Sequence, residues 1–124
     1  GDNDVSDEFQ WAAVELYITT GNSSYSNDIN VSTIGNGTPS WRYTDPLALI
    51  SILYHKNNFS TSIVNSASNL LLNTANEIKS HIVNSTMNIS MGVTNWDYVW
   101  GSNSEAANKI LMLIRAYEFT QDIS

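Results

Sequence analysis

Ser6-Asp7-Glu8-Phe9-Gln10-Trp11-Ala12-Ala13-Val14-Glu15-Leu16-Tyr17-Ile18-Thr19-Thr20-Gly21 sets Phe9, Ala12, Ala13, Leu16, Tyr17 and Thr20 at the three- and four-residue intervals of a helix that buries one side. Ser6 stands where an N-cap is expected. Asp7 and Glu8 bring negative charge to the first turn, where the helix dipole favours it, and Gly21 tolerates the left-handed backbone of a helix stop. The chain therefore starts as a capped α-helix.

The same reading extends outward. Residues 21–40 are rich in Asn, Ser and Gly, with Pro39 near the end, and read as a loop long enough to carry function. Asp45-Pro46 predicts a helix start, with Asp as cap and Pro at the first helical position, running to about Lys56 with Leu47, Ile50, Leu53 and Tyr54 inward. A further periodic segment covers 60–83 and carries Ile63, Ala67, Leu70, Leu71, Ile78 and Ile82; Thr74 falls on its stripe without breaking the period. Residues 84–97 read as loop. Ser102-Asn103-Ser104-Glu105 fits a capping box, and Ala106, Ile110, Leu111, Leu113, Ile114 and Tyr117 give the last helix a broad apolar side. Helices without a convincing strand make an all-α chain. The helix ends Tyr17-Ile18-Thr19-Thr20-Gly21 and Tyr117-Glu118-Phe119-Thr120-Gln121 both read Tyr-x-x-Thr before a turn, a weak repeat compatible with stacked helical hairpins or with chance.

The chain has 124 residues, room for about one domain with a single core. Charged residues are only 14% of it, and Asn, Ser and Thr take their place; four Trp, six Tyr and three Phe argue against disorder. The net charge is −7, and the basic side chains Arg42, Lys56, Lys79, Lys109 and Arg115 are scattered singly. Neither nucleic acid nor an anionic membrane surface is an expected partner, since both demand clustered positive charge. A neutral ligand carries no such requirement. With no Cys there is no disulfide, thiolate metal site or thiol nucleophile, and no apolar run reaches the length of a membrane span.

Two segments together resemble a known family. Residues 7–21, with Asp7-Glu8, Trp11-Ala12-Ala13, Leu16-Tyr17 and Thr20-Gly21, are similar to the Asp-Glu-x-x-Trp-Ala-Ala-x-x-Leu-Tyr-x-x-Thr-Gly stretch of glycoside hydrolase family 9, inverting cellulases with an (α/α)6 barrel. Tyr98-Val99-Trp100-Gly101-Ser102-Asn103, continuing to Ala116-Tyr117-Glu118-Phe119-Thr120, resembles the Trp-Gly-Ser-Asn helix start and Ala-Tyr-x-x-Thr helix end of that family. Between them, residues 25–95 follow the family only in helical pattern. The resemblance implies a slice of an (α/α)6 barrel, with residues 1–124 an incomplete part of the catalytic domain whose remaining hairpins are its nearest partners. It also implies that the Asp pair of an Asp-Ala-Gly-Asp motif and the general-acid Glu, absent from this sequence, lie upstream and downstream. No catalytic residue is therefore expected within the chain, and no cofactor or metal is implied.

Inverting hydrolysis needs an acid to protonate the leaving oxygen and a carboxylate to activate water, about 6.5–9.5 Å apart. The acids here form no such pair on motif grounds. Asp7 and Glu8 read as dipole-complementing first-turn acids, while the family pattern gives Asp7 a place in the cleft floor; Glu105 reads as the capping-box partner. The expected contribution is aromatic surface, because indole and phenol faces stack on the apolar faces of glucose rings while polar neighbours bind hydroxyls. Trp11 and Trp100 match family positions that line sugar subsites; on residues alone, core packing is the competing reading. Tyr98, Trp96 and Asn103 beside Trp100 are second candidates. Trp41 fits either a further platform or a lid on the core. Some family members carry an Arg-Tyr pair where this chain has Ser104-Glu105, so contacts made by that pair do not transfer. His55 and His81 have no partner ligand at helical spacing and read as surface or packing residues.

Six Asn-x-Ser/Thr sequons, at Asn22, Asn30, Asn36, Asn58, Asn84 and Asn88, fall mostly in the two loops, which agrees with a secreted, extracellular protein whose signal is not in this chain. The expected function is part of a cellulase that hydrolyses β-1,4-glucan (cellulose, cello-oligosaccharides), alone inactive. The alternative is a non-catalytic helical module that grips carbohydrate or another protein.

Overall fold

The computed structural model describes residues 4–91, 98 and 100–121. Its elements are α1 (Ser6–Thr20), α2 (Ser23–Asn27), α3 (Pro46–Tyr54), α4 (Thr61–Asn84) and α5 (Ser102–Thr120), with short 3-10 turns at Val31–Thr33 and Lys56–Asn58; no strand occurs among the described residues. The expected loop over residues 21–40 thus contains a short helix and a 3-10 turn. The side chains of Asn22 and Asn30 initiate them by accepting the Ser24 and Ser32 amides at 3.0 and 3.2 Å.

The long helices form a row. α1 packs on α3, α3 on α4, and α4 on α5. One core runs along it: Val14 of α1, Val31 and Ile34 of the loop, Ala48, Leu49, Ile52 and Leu53 of α3, Ala67, Leu71, Ala75 and Ile78 of α4, and Met112 and Ala116 of α5. α4 follows its predicted stripe, and Ser60 caps it by accepting the Ile63 amide. Thr74 stays on that stripe because its buried hydroxyl donates to Asn36 Oδ1 at 2.7 Å, while Asn36 Nδ2 donates to Glu77 Oε1 at 2.8 Å.

The inward sides of the other helices agree with the spacing-based expectation only in part. On α1, Ala13 is buried and Tyr17 half-buried as expected, but Trp11, Val14 and Ile18 also turn inward, and Phe9, Ala12, Leu16 and Thr20 face solvent. On α3, Pro46, Ala48, Leu49, Ile52 and Leu53 are buried and Tyr54 is exposed. On α5, Met112 and Ala116 are buried, whereas Ile110, Ile114 and Tyr117 are 52%, 48% and 43% exposed. Residues two apart on a helix lie roughly 200° apart around its axis, so α1 and α5, the outer helices of the row, are apolar on two nearly opposite sides. Spacing alone cannot choose between two such stripes.

Capping also differs in three places. Asp4, rather than Ser6, serves the start of α1: its Oδ1 accepts the Ser6 amide at 3.0 Å and the Ser6 hydroxyl at 2.7 Å. Asp45 makes no cap bond at α3 because its carboxylate turns to the Gly35 amide at 2.6 Å. At α5 the N-cap is Gly101 in the left-handed conformation, without a side-chain cap bond, and Ser104 Oγ donates back to the Gly101 carbonyl at 2.7 Å, so the capping box does not form.

The repeat at the helix ends has a common geometry. Gly21 and Gln121 are both left-handed, and their amides return to the Tyr17 and Tyr117 carbonyls at 2.9 and 2.6 Å. Thr20 and Thr120 each donate a hydroxyl to the carbonyl four residues earlier, Leu16 and Ala116, at 2.6 and 2.9 Å.

Candidate functional site

The loop between α2 and α3 ties the helices together through bonds to α1, to the start of α3 and to α5. At its end, Asp7 Oδ2 of α1 accepts the Thr44 amide at 2.6 Å and the Thr44 hydroxyl at 3.1 Å. Burial works against the Asp7 charge, but the Thr44 amide, a bond with Glu8 and the Thr44 hydroxyl outweigh it and hold the carboxyl below its ordinary value. Asp45 is nearly enclosed, and burial pushes its carboxyl up despite the Gly35 amide. Asp7 and Asp45 line a cavity of about 400 Å³ with Asp4, Arg42, Tyr43 and residues 35–38. The expected first-turn role of Asp7 is thus joined by a second one: it fixes the entry to α3.

Trp11 and Trp100 have different surroundings. The Trp11 indole packs against the core from the inward side of α1, and its N–H donates to Glu15 Oε1 at 3.0 Å. The same Glu15 oxygen accepts the Ser51 hydroxyl of α3 at 2.5 Å, so one carboxylate holds the indole and joins two helices. Trp100, just ahead of α5, is 99% exposed. Tyr98 is exposed and lines a cavity of about 350 Å³ with Asn84, Ser85, Thr86, Met87, Ile89 and Met91. Asn103 is exposed in the first turn of α5. Neither Trp11 nor Trp100 lines these two cavities, and Trp96 lies outside the described residues.

Glu15, Ser51, Thr44 and Asn36 escaped the sequence reading. Only the Trp11 and Glu15 spacing, four residues on one helix, carried a local signal. Among the described residues no three His, Asp or Glu side chains converge as a metal site, and no helix is long and apolar enough to cross a membrane. His55 sits edge-on against Tyr54 with ring centroids 5.3 Å apart, and His81 is exposed near the end of α4.

Comparison with known proteins gives this geometry a context. The family model for glycosyl hydrolase family 9 matches residues 1–124. Among curated relatives, Endoglucanase C of Cellulomonas fimi is 26% identical over 133 residues, covering 98% of this chain and 11% of that protein. Cellulose 1,4-beta-cellobiosidase of Acetivibrio thermocellus is 28% identical over 142 residues, covering 96% of this chain and 16% of that protein. A solved structure described as Bacteroides ovatus GH9 superimposes with a TM-score of 0.83 at 26% identity, over 98% of this chain and 23% of that one. The chain spans less than a fifth of the curated relatives it matches.

Proposed function

The chain belongs to glycosyl hydrolase family 9, its all-α row is part of that family's (α/α)6 barrel, and from that premise we propose that it serves a secreted enzyme that cleaves β-1,4-glucosidic bonds in cellulose or related β-glucans with inversion. In this reading residues 1–124 are a partial catalytic domain that supplies substrate-binding surface, and the acid and base come from other parts of the same polypeptide. The apolar outer sides of α1 and α5 support it, because a helix apolar on opposite sides is suited to lie between neighbours.

The observation that carries the binding role is Trp100. An indole 99% exposed at the mouth of α5 contributes nothing to this core and presents its face to a ligand. Tyr98 and Asn103 flank it, and Trp96 completes the group in sequence. Trp11 contributes from deeper in, with its edge held by Glu15. Asp7 acts from the α3 entry, shaping the floor through Thr44. A charge-poor surface suits an uncharged polymer.

The test is hydrolysis of cello-oligosaccharides by the complete enzyme, followed by proton NMR of the new anomeric centre. Inverted product, lost on changing the predicted upstream Asp pair, supports the reading. Turnover by residues 1–124 alone would place the acid and base within this chain and overturn it. In the complete enzyme, Trp100→Ala should lower kcat/KM by an amount equivalent to roughly 1–3 kcal/mol.

A further inference from the structure

The Asn-x-Ser/Thr sequons look alike in sequence, and their hydrogen bonds tell them apart. In Asn22-Ser23-Ser24 the Ser24 amide and hydroxyl both donate to Asn22 Oδ1, at 3.0 and 2.9 Å. In Asn30-Val31-Ser32 the Ser32 amide and hydroxyl donate in the same way to Asn30 Oδ1, at 3.2 and 2.6 Å. Each of these asparagines is thus folded onto the hydroxyl of its own sequon. Both are exposed, and Nδ2 of each makes no bond among the described residues.

The other sequons are bonded differently. Asn36 Nδ2 donates to Glu77 Oε1 while its Oδ1 accepts the buried Thr74 hydroxyl, so a bulky group on that nitrogen would part the loop from α4. Asn84 Nδ2 donates to the Ser80 carbonyl at 2.8 Å and to Ser80 Oγ at 3.2 Å. At Asn58 the sequon hydroxyl, that of Ser60, is turned to the Ile63 amide as the cap of α4. Asn88, at φ 52°, makes no bond to its sequon partner Ser90 among the described residues.

Two donors on one amide oxygen draw electron density away from the nitrogen, which makes an Nδ2 hydrogen easier to remove. The bonds at Asn22 and Asn30 also span only two residues, so these turns can form in an emerging chain before any helix packs. Replacing one Nδ2 hydrogen leaves every Oδ1 bond in place. Between the two asparagines lies α2, five residues of which none is buried.

We infer that Asn22 and Asn30 are N-glycosylation sites, and that Asn36 and Asn84 are not. The inference rests on the secreted reading above. The donor is an oligosaccharide carried on a polyprenyl diphosphate. Nδ2 gives up a proton and attacks the anomeric carbon; the C–N bond forms, the anomeric C–O bond to the diphosphate breaks, and the lipid diphosphate leaves with that electron pair. The attached glycans flank α2 and shield a stretch held by little packing from proteases.

The test is peptide mass spectrometry of the complete enzyme purified from the medium of its native source, after a peptide amidase has released N-glycans in heavy-oxygen water. Asn22 and Asn30 should be recovered as heavy-oxygen-labelled Asp, and Asn36 and Asn84 as unlabelled Asn. The trimmed enzyme should be cut between residues 22 and 30 by a broad-specificity protease several-fold faster than the glycosylated form.

Either asparagine left unmodified in enzyme recovered from the medium would overturn its assignment while secretion stands. Glycans carried as fully on Asn36 and Asn84 as on Asn22 and Asn30 would show that the tripeptide alone decides, and would equally overturn the inference. Equal cleavage before and after trimming would overturn the shielding role. An enzyme found only inside the cell would sink the secreted reading and this inference with it.

Discussion

Asp7 and Thr44, 37 positions apart, are joined twice: one carboxylate oxygen of the first helix accepts both the amide and the hydroxyl of the residue just ahead of α3. A first-turn acid thus also holds the residue that leads into another helix, one position ahead of the Asp45 N-cap of α3. These bonds help hold the Asp7 carboxyl below its ordinary value, whereas burial pushes the Asp45 carboxyl up.

Asp7, held below its ordinary value, contributes stability that is present above that value and lost as pH falls through the lowered one; Asp45, pushed up by burial, lowers stability as pH rises from its ordinary value through the raised one. Thermal melts between about pH 3 and pH 6 should separate them. Asp7→Asn should melt lower than the parent at pH 6 and converge with it in acid. Asp45→Asn, whose amide oxygen can still accept the Gly35 N–H, should equal or exceed the parent at pH 6, with the difference fading in acid. An Asp45→Asn variant markedly less stable at pH 6 would contradict this assignment.

Asn36 and Thr74 should respond unequally. Removing Asn36 leaves a buried hydroxyl without its acceptor, so Asn36→Ala should destabilise by about 1–3 kcal/mol, whereas Thr74→Val removes the need for the bond and should cost only about 0.5–1.5 kcal/mol. Urea denaturation of the two variants gives the comparison, and the double variant should be less than additive.

The paired helix ends predict substitutions of opposite sign. Gly21 sits at φ 68° with open space where a Cβ would go, so Gly21→Ala should cost about 1 kcal/mol through backbone strain alone. Gln121, at φ 60°, carries that strain already, so Gln121→Gly should be neutral or stabilising by up to about 1 kcal/mol, less whatever its bond to the Glu118 carbonyl contributes. Equilibrium unfolding of both variants reads the difference.

The outer side of α5 should behave as surface in need of a cover. Residues 1–124 on their own should bind a hydrophobic dye or self-associate, and Ile110→Ser with Ile114→Ser should reduce that binding with little loss of melting temperature. Met112→Ala, on the inward side of the same helix, should instead cost about 2–5 kcal/mol. A monodisperse monomer without dye binding would count against the barrel-slice reading.

What the sequence revealed depended on whether a feature was local. The α4 stripe, the Gly21 stop and the two-residue start at Asp45-Pro46 are written within a few residues and appear where expected. The inward sides of α1 and α5 are not, because each helix has two apolar stripes and only neighbouring helices decide which one turns in. Ser6, Asp45 and Ser102 were plausible caps, but Asp4, Gly35 and Gly101 redirect their local bonding. At the candidate site, Trp100 is singled out by its local motif, and it has the exposure that the proposed stacking role requires. It was not legible at Thr44, Ser51 or Pro39, whose partners Asp7, Glu15 and Asn108 are brought to them only by tertiary packing.

The second apolar side of α5 has a consequence for biosynthesis. On the ribosome this stretch finishes its own row of helices while Ile110, Ile114 and Tyr117 still look outward. In the barrel proposed above, neighbouring hairpins would cover these side chains, and until they dock the nascent chain would carry an adhesive strip. Pauses in translation, or a stop codon soon after Gln121, would lengthen that exposure, and chaperone demand rather than catalytic failure would be the first sign of it.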